Sequence, residues 1–283
     1  MSKYFQINEN HTESVTFIPS LSEVYQYMED NRSRLEGNGS LASRDVSKER
    51  TRFTGTKSFK EAFDLAETGW ANRKTVSQIA DQLNVTSTAE IKQATTTMAV
   101  AGSYVDIGTY MSGDPNCMVE FEEQDAPKTV RIGFNVSTSA SACKRTFHLR
   151  GAIVLAMLSK LAESGYSTEI IVYDACHSGG SDHCDAFVLK ASDRYMDEDA
   201  ISFWCSHPSA LRRLMFRMNE CNNTEIAERF GFDGGSYGQP TDLEDNKLAE
   251  DTLNLDINID YRGESLDSAV EYLNGLVDQI NEL

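Results

Sequence analysis

The segment from residue 129 to residue 173 constrains the fold more than any other part of the sequence. Residues 129–136 and 168–173 are runs rich in valine and isoleucine that predict strands, and residues 149–164 predict a helix that is apolar on nearly all sides. Strand, helix and strand in this order form a βαβ unit. Because the helix needs burial between a sheet and a second layer, the sequence predicts an α/β fold.

A third strand at 185–191 follows the second after a short loop, 176–184. Such a loop cannot contain a crossover, so this strand must run antiparallel to its neighbour. The remaining elements predicted toward the C-terminus are strands at 200–205 and 252–260 and helices at 210–220 and 265–281. We therefore expect a mostly parallel, doubly wound sheet over 128–283, with 185–191 as one antiparallel edge strand.

The first 127 residues indicate helices around this core. Residues 1–55 predict a partly irregular arm, and residues 56–127 predict a helical extension packed on the core. Ser58 and Glu61 have the spacing of a capping box that starts a helix, and Gly69 suits the left-handed position that ends it. Other elements predicted here are helices near 20–31 and at 74–84 and a short strand at 118–121.

Composition argues against two classes of protein. The net charge of −18 argues against binding to duplex nucleic acid, which needs clustered Lys and Arg. No run reaches the about 18 apolar residues of a membrane span, and residues 1–10 lack the apolar core of a signal peptide. We expect a cytoplasmic protein whose six cysteines are free thiols.

Polar side chains follow the predicted strands at their carboxyl ends, where ligands bind on doubly wound sheets. In chain order they are Asn135, Ser137 and Ser139, then Asp174, Cys176 and His177, then Ser206 and His207, and finally Asp260. These strand ends form the candidate site.

Asn135-x-Ser137-x-Ser139 after a parallel strand resembles the von Willebrand factor A domain, where Asp-x-Ser-x-Ser at this position holds a divalent cation. The order of elements is also similar. The resemblance implies a protein-binding domain with a metal-ion-dependent adhesion-type site at Asn135, Ser137, Ser139 and Asp260. Because Asn135 replaces an anionic ligand with a neutral one, we expect a degenerate site that binds Mg²⁺ or Mn²⁺ weakly.

Over roughly residues 50–282 the chain also resembles a family of uncharacterised bacteriophage proteins. The matching residues are Ser58-Phe59-Lys60-Glu61-Ala62, Gly69-Trp70, Ala101-Gly102-Ser103, Gly113-Asp114-Pro115, Met118-Val119, Arg150-Gly151-Ala152, His207-Pro208 and Leu211-Arg212-Arg213. The resemblance implies a phage origin, a place in the cytoplasm of an infected bacterium or on the virion, and a phage or host protein as partner. It implies no reaction.

The stretch 174–179, Asp-Ala-Cys-His-Ser-Gly, is similar to the active-site line of metacaspases, in which the cysteine is the nucleophile. Those peptidases carry a His-Gly pair after the preceding strand, where this chain has Asn135-Val136-Ser137. A nucleophile without a base in reach is weakly activated. A caspase-like cysteine hydrolase that uses Cys176, with His207 reaching it across strand ends, is therefore the alternative to a binding module.

Two further patterns have both a chemical and a structural interpretation. Cys176-His177 and His183-Cys184 flank a glycine turn and offer zinc ligands, although adjacent residues of an extended chain face opposite sides. Arg212, Arg213 and Arg217 form a basic stripe that suits a phosphate or an acidic partner, or pairing with nearby carboxylates. The sequence as a whole favours a protein-binding or assembly module.

Overall fold

In the part of the chain that the structure describes, the strands form a six-stranded sheet and a separate three-stranded sheet. The computed structural model describes residues 13–31, 42, 51–70, 73–83, 96–121, 129–163, 165–191, 193, 197–222, 224–232, 237–241, 253–257, 267, 270–271 and 273–275. The strands are β1 (Glu13–Ile18), β2 (Thr96–Ala99), β3 (Tyr104–Val105), β4 (Met118–Phe121), β5 (Thr129–Asn135), β6 (Ser167–Ser178), β7 (Ser181–Lys190), β8 (Gln239–Pro240) and β9 (Leu253–Ile257). The helices are α1 (Leu21–Asp30), α2 (Thr51–Thr54), α3 (Phe59–Thr68), α4 (Arg73–Gln82), α5 (Ile107–Met111), α6 (Lys144–Glu163), α7 (Glu198–Ser206), α8 (Phe216–Cys221) and α9 (Thr224–Phe230).

The large sheet has the strand order β1-β7-β6-β5-β9, and β8 pairs with the end of β6. Strand β5 is parallel to β6 and to β9, and β7 is antiparallel to β6, as the sequence predicts. The βαβ unit is confirmed because α6 connects β5 to β6. We call this sheet and the helices other than α5 the α/β body.

The predicted edge position of 185–191 is wrong. Strand β1 pairs in parallel with β7 along its outer side, with Glu13 opposite Asp182 and Ile18 opposite Phe187. The edge of the sheet is therefore formed by a strand from the predicted N-terminal arm. The predicted boundaries at 55 and 127 stay a prediction.

The predicted fourth strand at 200–205 is also wrong, because these residues lie in α7. The side chain of Asp197 accepts hydrogen bonds from the backbone N–H groups of Asp199 and Ala200 and so caps the helix. Two acidic residues in the first turn stabilise the positive end of the helix dipole. Residues Ile201 to Ser206 are buried on every side, which hides the helical period.

The loop predicted at 176–184 is instead the tip of a long hairpin. Strands β6 and β7 remain paired as far as Ser178 opposite Ser181. Gly179 and Gly180 form the two-residue turn with φ of 60° and 79°. Positive φ at both positions is the requirement of a type I′ turn, which glycine meets without strain. The two cysteines and two histidines of this stretch therefore lie on strands.

Helices pack on the large sheet, and α6 and α7 approach each other closely. Helix α6 is buried over most of its length, and a Cβ added to Gly151 would lie 1.7 Å from Ser206 Oγ in α7. The predicted capping box is confirmed at α3, where Ser58 Oγ accepts from Glu61 N at 3.1 Å and Glu61 Oε2 accepts from Lys57 N. Among the helices that the structure describes, none has both the length and the hydropathy to cross a membrane.

A π-helical segment, Ala210–Met215, precedes α8 and carries two of the three arginines of the predicted basic stripe. All three arginines are buried. Arg212 and Arg213 donate to backbone carbonyls, among them Phe53 O and Ala42 O, and Arg217 lies 3.6 Å from Glu220. The stripe binds parts of the chain to one another.

The second sheet, which we call the small sheet, consists of β2, β4 and β3 in antiparallel order with helix α5 after β3. The small sheet lies within residues 56–127, the predicted helical extension. Of its three strands, only the one at 118–121 was predicted. The small sheet makes no extensive contact with the described elements of the α/β body. Those residues of the predicted helix at 265–281 that the structure describes are helical, and Leu273 packs in the core.

Candidate functional site

Asn135 ends β5 and is buried, with both ends of its side-chain amide engaged. Its Oδ1 accepts a hydrogen bond from Ser137 N at 3.0 Å, and its Nδ2 donates to Thr241 O at 3.1 Å. The amide therefore closes the turn after β5 and holds the chain segment that follows β8. An aspartate would keep the first bond and lose the second, so the neutral residue has a structural reason here.

Ser137 and Ser139 have different surroundings. The hydroxyl of Ser137 hydrogen-bonds to the carboxylate of Asp174 on β6. Ser139 is exposed, and its Oγ accepts from Ser141 N at 3.3 Å. The backbone carbonyl of Ser139 accepts from Arg212, which also binds two neighbouring carbonyls. The structure thus brings Ser137 to a carboxylate and leaves Ser139 in a turn of its own.

Asp174 belongs to a buried polar cluster that the strand-end argument found only in part. It lies directly opposite Asp185 on β7, so both carboxylates point to the same face of the sheet. Asn219 Nδ2 donates to Asp174 Oδ2 at 3.0 Å, and Asn222 Nδ2 lies 3.2 and 3.1 Å from the two oxygens of Asp185. Burial raises the pKa of Asp174 to about 6, and its bonds with Ser137 and Asn219 oppose that rise.

His183 completes this cluster, with its Nε2 3.1 Å from Asp185 Oδ1 and 2.9 Å from Asn222 Nδ2. Asn222 Oδ1 accepts from the hydroxyl of Thr16 on β1 at 2.9 Å. The cluster therefore links β1, β7 and α8. Asp185, Asn219 and Asn222 carry no local sequence signal, because only the pairing of distant elements brings them together.

Three of the four predicted cation ligands lie within the described residues. Asp260 lies outside the described residues, three positions after the end of β9. In the part of the chain that is described, no three His, Cys, Asp or Glu side chains are arranged to hold a metal ion. Of the predicted ligands, Asn135 and Ser137 share one turn, and the carboxylate beside them is Asp174.

Cys176 is buried within β6. It packs with Ala227, Phe230 and Phe232, and its strand neighbours are His183 on one side and Pro240 on the other. Burial, followed by the charge of Asp174, raises the pKa of the Cys176 thiol. Because the thiolate is the nucleophile, this environment opposes the chemistry that the alternative function needs.

His207 follows helix α7 and does not lie at a strand end, which removes the basis for its predicted reach to Cys176. Its ring stacks on Phe203 at 5.1 Å and meets Trp70 edge-on at 5.1 Å. Its Nδ1 accepts from Ser209 N at 3.1 Å. Burial lowers the pKa of His207 to about 3, so it is a neutral packing residue in this setting.

The cysteine and histidine pairs of the hairpin do not converge. In the strand register Cys176 lies opposite His183, whereas His177 lies opposite Asp182 and Cys184 opposite Ala175. His177 Nδ1 is 2.6 Å from Asp182 Oδ1 at the exposed hairpin tip. All six cysteines are free, as expected.

The small sheet holds a surface that sequence reasoning missed. Large hydrophobic side chains that are exposed within the described residues all lie between positions 98 and 111, and they are 43 to 80 % exposed. We call this group the apolar surface: Met98, Val100, Tyr104, Val105, Ile107, Tyr110 and Met111. Met98 and Tyr104 both lie opposite Val119 and share one face of the small sheet, whereas Val105 lies opposite Met118 on the other face. The spacing of this group in sequence fits neither a helix nor a strand throughout, which is why the pattern gave no prediction.

The model of a protein family described as a domain of unknown function, DUF7192, matches residues 6–281. No curated protein and no solved structure matches the chain.

Proposed function

Because the chain belongs to the DUF7192 family, a domain of unknown function, we propose its role from geometry: it is a protein-binding module. The small sheet is the partner-binding part, and the α/β body is its scaffold. The observation that carries this proposal is the apolar surface, which has no covering layer among the described residues.

Exposure on this scale is costly unless something covers it. A small sheet is independently stable when it has three or more strands with a hydrophobic face, or when it packs against a helix. Burial of one large apolar side chain contributes roughly 1.5–3 kcal/mol. Large apolar side chains exposed together in one part of a protein mark a site of interaction more often than single exposed ones do. A partner that covered α5 and one face of the small sheet would supply the missing layer.

The residue types also suit recognition. Tyr104 and Tyr110 are large, rigid side chains with a polar tip, and tyrosine is enriched among the residues that dominate binding energy. Met98 and Met111 have flexible thioether side chains that adapt to irregular partner surfaces. Ile107, Tyr110 and Met111 have the i, i+3, i+4 spacing of one helix face on α5.

The body is proposed to be a von Willebrand A-like scaffold. Its strand order β7-β6-β5-β9, with β7 antiparallel, supports that proposal. In the same proposal, the turn at Asn135, Ser137 and Ser139, with Asp260, is a degenerate cation site. A phage origin, with a phage or host protein as partner in the infected cell or on the virion, rests on the sequence resemblance alone.

The experiment uses a photo-crosslinking amino acid at Tyr110, with the same label at Glu228 of the body as the control position. Proteins captured at Tyr110 and not at Glu228 are then purified and titrated against the unlabelled chain. We expect the combined variant Ile107→Ser, Tyr110→Ser, Met111→Ser to lose this binding, and Glu225→Ser, Glu228→Ser to keep it. Equal binding by both variants would overturn the proposal.

A cysteine hydrolase that uses Cys176 is the alternative, and it makes the opposite prediction for thiol reactivity. A small electrophilic thiol reagent should label exposed Cys143 and half-exposed Cys117 first, and Cys176 only on unfolding. Selective labelling of Cys176 in the folded protein, measured by mass spectrometry of peptides, would favour the hydrolase.

A further inference from the structure

We propose that the partner of the apolar surface is a cationic, amphipathic segment of another protein, in which Lys or Arg residues flank apolar side chains. This inference rests on the proposed protein-binding function. The observation behind it is the charge around the apolar surface.

Residues 96–121 contain three carboxylates and no Lys, Arg or His. Asp114 and Glu120 are exposed, and Asp106 is half-buried at the start of α5. Two of the three are held in place: Asp106 Oδ1 accepts from Thr109 N at 2.8 Å, and Asp114 Oδ1 accepts from Asn116 N at 2.9 Å. The segment that carries the apolar surface is therefore anionic: Asp106 is at the start of α5, Asp114 follows α5, and Glu120 lies on the Val105 face of the small sheet.

A partner that covers this surface removes water from some of these carboxylates. A charge that loses water costs free energy unless an opposite charge or hydrogen-bond donors replace that water. Cationic side chains at the margin of the partner would meet this need, and they would also raise the rate of association through attraction to a chain of net charge −18.

Charge disfavours the other occupants. A second copy of the chain would bring the same three carboxylates and the same net charge to the contact. A membrane with anionic lipids would repel the small sheet, since membrane-surface segments use Lys and Arg for that attraction. Nucleic acid has the same sign of charge. A cationic protein segment is the one occupant considered that satisfies both the apolar and the anionic parts.

The test uses the full chain and two synthetic helical peptides of the same length, one of leucine and lysine and one of leucine and glutamate. Binding is followed by fluorescence anisotropy near physiological ionic strength. We expect the lysine peptide to bind and the glutamate peptide not to bind. Asp114→Lys with Glu120→Lys should weaken binding of the lysine peptide at least about tenfold.

The matched control reverses two exposed carboxylates of α9, Glu225→Lys and Glu228→Lys, and should change binding less than about twofold, because it alters the net charge equally. If the lysine variants of the small sheet fold poorly, Asp114→Asn with Glu120→Gln removes the same charges with little change in shape. Circular dichroism of each variant establishes that it is folded.

The outcomes separate the inference from the proposed function. If Ile107→Ser, Tyr110→Ser, Met111→Ser abolishes peptide binding while neither charge variant alters it, the inference fails and the binding function stands. If no peptide binding depends on these three residues, the proposed function fails for this surface. Binding of phosphatidylglycerol vesicles, or a dimer in light scattering, that the triple variant abolishes would overturn the choice of occupant.

Discussion

The α/β body and the small sheet differ in what surrounds their side chains. In the body, the central strands are buried, and Arg212 and Arg213 lie inside with backbone carbonyls as acceptors. In the small sheet, apolar side chains of β2, β3 and α5 lie in contact with solvent. This difference indicates that the free energy of folding is concentrated in the body. In the proposed function, the small sheet keeps its apolar area for an intermolecular contact.

The comparison also separates two uses of charge. The cations of the body hold distant chain segments together: Arg213, for example, joins Ala42 to Thr56 and Lys57. Two of the three anions of the small sheet, Asp106 and Asp114, accept from backbone N–H groups within their own turns and keep their charge near the surface. Charge thus serves folding in one region and is available for recognition in the other.

The largest expected effect comes from substitutions at two glycines, one in the α/β body and one in the small sheet. A Cβ on Gly151 would lie 2.6 Å from Ser206 Cβ and 3.1 Å from Ser206 Cα, so α6 and α7 must separate. We expect Gly151→Ala to lower the free energy of unfolding by about 3 kcal/mol or more, the upper part of the range for overpacking. Thermal unfolding measured by calorimetry tests this expectation.

The matched change in the small sheet is Gly102→Ala, whose Cβ would lie 2.5 Å from Val119 O. It should disturb β4 and partner binding while it leaves the main unfolding transition nearly unchanged. Gly151→Ala with Ser206→Gly should recover part of the lost stability, because it removes the Ser206 Oγ and Cβ atoms that clash. If Gly102→Ala and Gly151→Ala lower the free energy of unfolding equally, the small sheet and the α/β body unfold as one cooperative unit.

Arg213→Lys should give the next largest effect. Arg213 is fully buried and donates to three carbonyls, of Ala42, Thr56 and Lys57, and a lysine ammonium cannot reach the same three from one position. We expect the free energy of unfolding, measured in urea, to fall by about 2–3 kcal/mol, because hydrogen bonds to these carbonyls are lost inside the protein. Arg145→Lys, at an exposed position of α6, is the control and should change stability by less than about 0.5 kcal/mol.

The elements that sequence predicts correctly are those with local signals. The capping box at Ser58 and Glu61 and the pairing of 168–173 with 185–191 depend on residues close in the chain. The errors have a shared cause. Residues 200–205 are buried on all sides, so the run shows no helical period, and only Asp197 and the acidic first turn marked the helix. Short apolar runs of this kind do not separate helix from strand.

The candidate site, like the fold, was predictable only where the signal is local. The strand-end argument finds Asn135, Ser137 and Asp174, because parallel strands bring their carboxyl ends together. Asp185 and Asn222 join them through the hairpin register and through α8, and β1 reaches β7 across more than half the chain. Contacts between such distant segments depend on tertiary packing, for which a single sequence has no local pattern.

Acid should destabilise the body through His207. Its pKa is lowered to about 3 in the folded protein by burial, and by the charges of Lys144 and His148, from about 6.5 when unfolded. A lowered pKa means that the stability is fully present above about pH 6.5 and is lost as the pH falls toward the folded value. At about pH 5 the loss is roughly 2 kcal/mol.

His207→Gln isolates this contribution, because glutamine offers an acceptor for Ser209 N without a titratable ring. The variant is expected to be less stable than the wild type near neutral pH, through lost packing on Phe203 and Trp70, but to lose less stability on acidification. Urea unfolding at about pH 7.5 and about pH 5 gives the difference of differences. An identical pH dependence in both proteins would mean that the pKa of His207 is not lowered in the folded state.

The smallest expected effect comes from the candidate cation site of the body. A ligand bound there would contradict the division into a scaffold and a binding sheet. If Asn135, Ser137, Ser139 and Asp260 form a degenerate cation site, the wild type should bind Mg²⁺ or Mn²⁺ weakly, and Asn135→Asp should bind more tightly by about 1–2 kcal/mol. The substitution also removes the hydrogen bond from Asn135 Nδ2 to Thr241 O. Without cation the variant should therefore be less stable, and added Mg²⁺ should restore its melting temperature.

Ser137→Ala in the Asn135→Asp background is the control that should abolish the effect of the cation, because it removes a ligand beside Asp174. Calorimetric titration of the three proteins decides the matter: absence of binding at millimolar cation in all three would assign Asn135 and Ser137 to the turn after β5 and leave the small sheet as the binding region of the described chain.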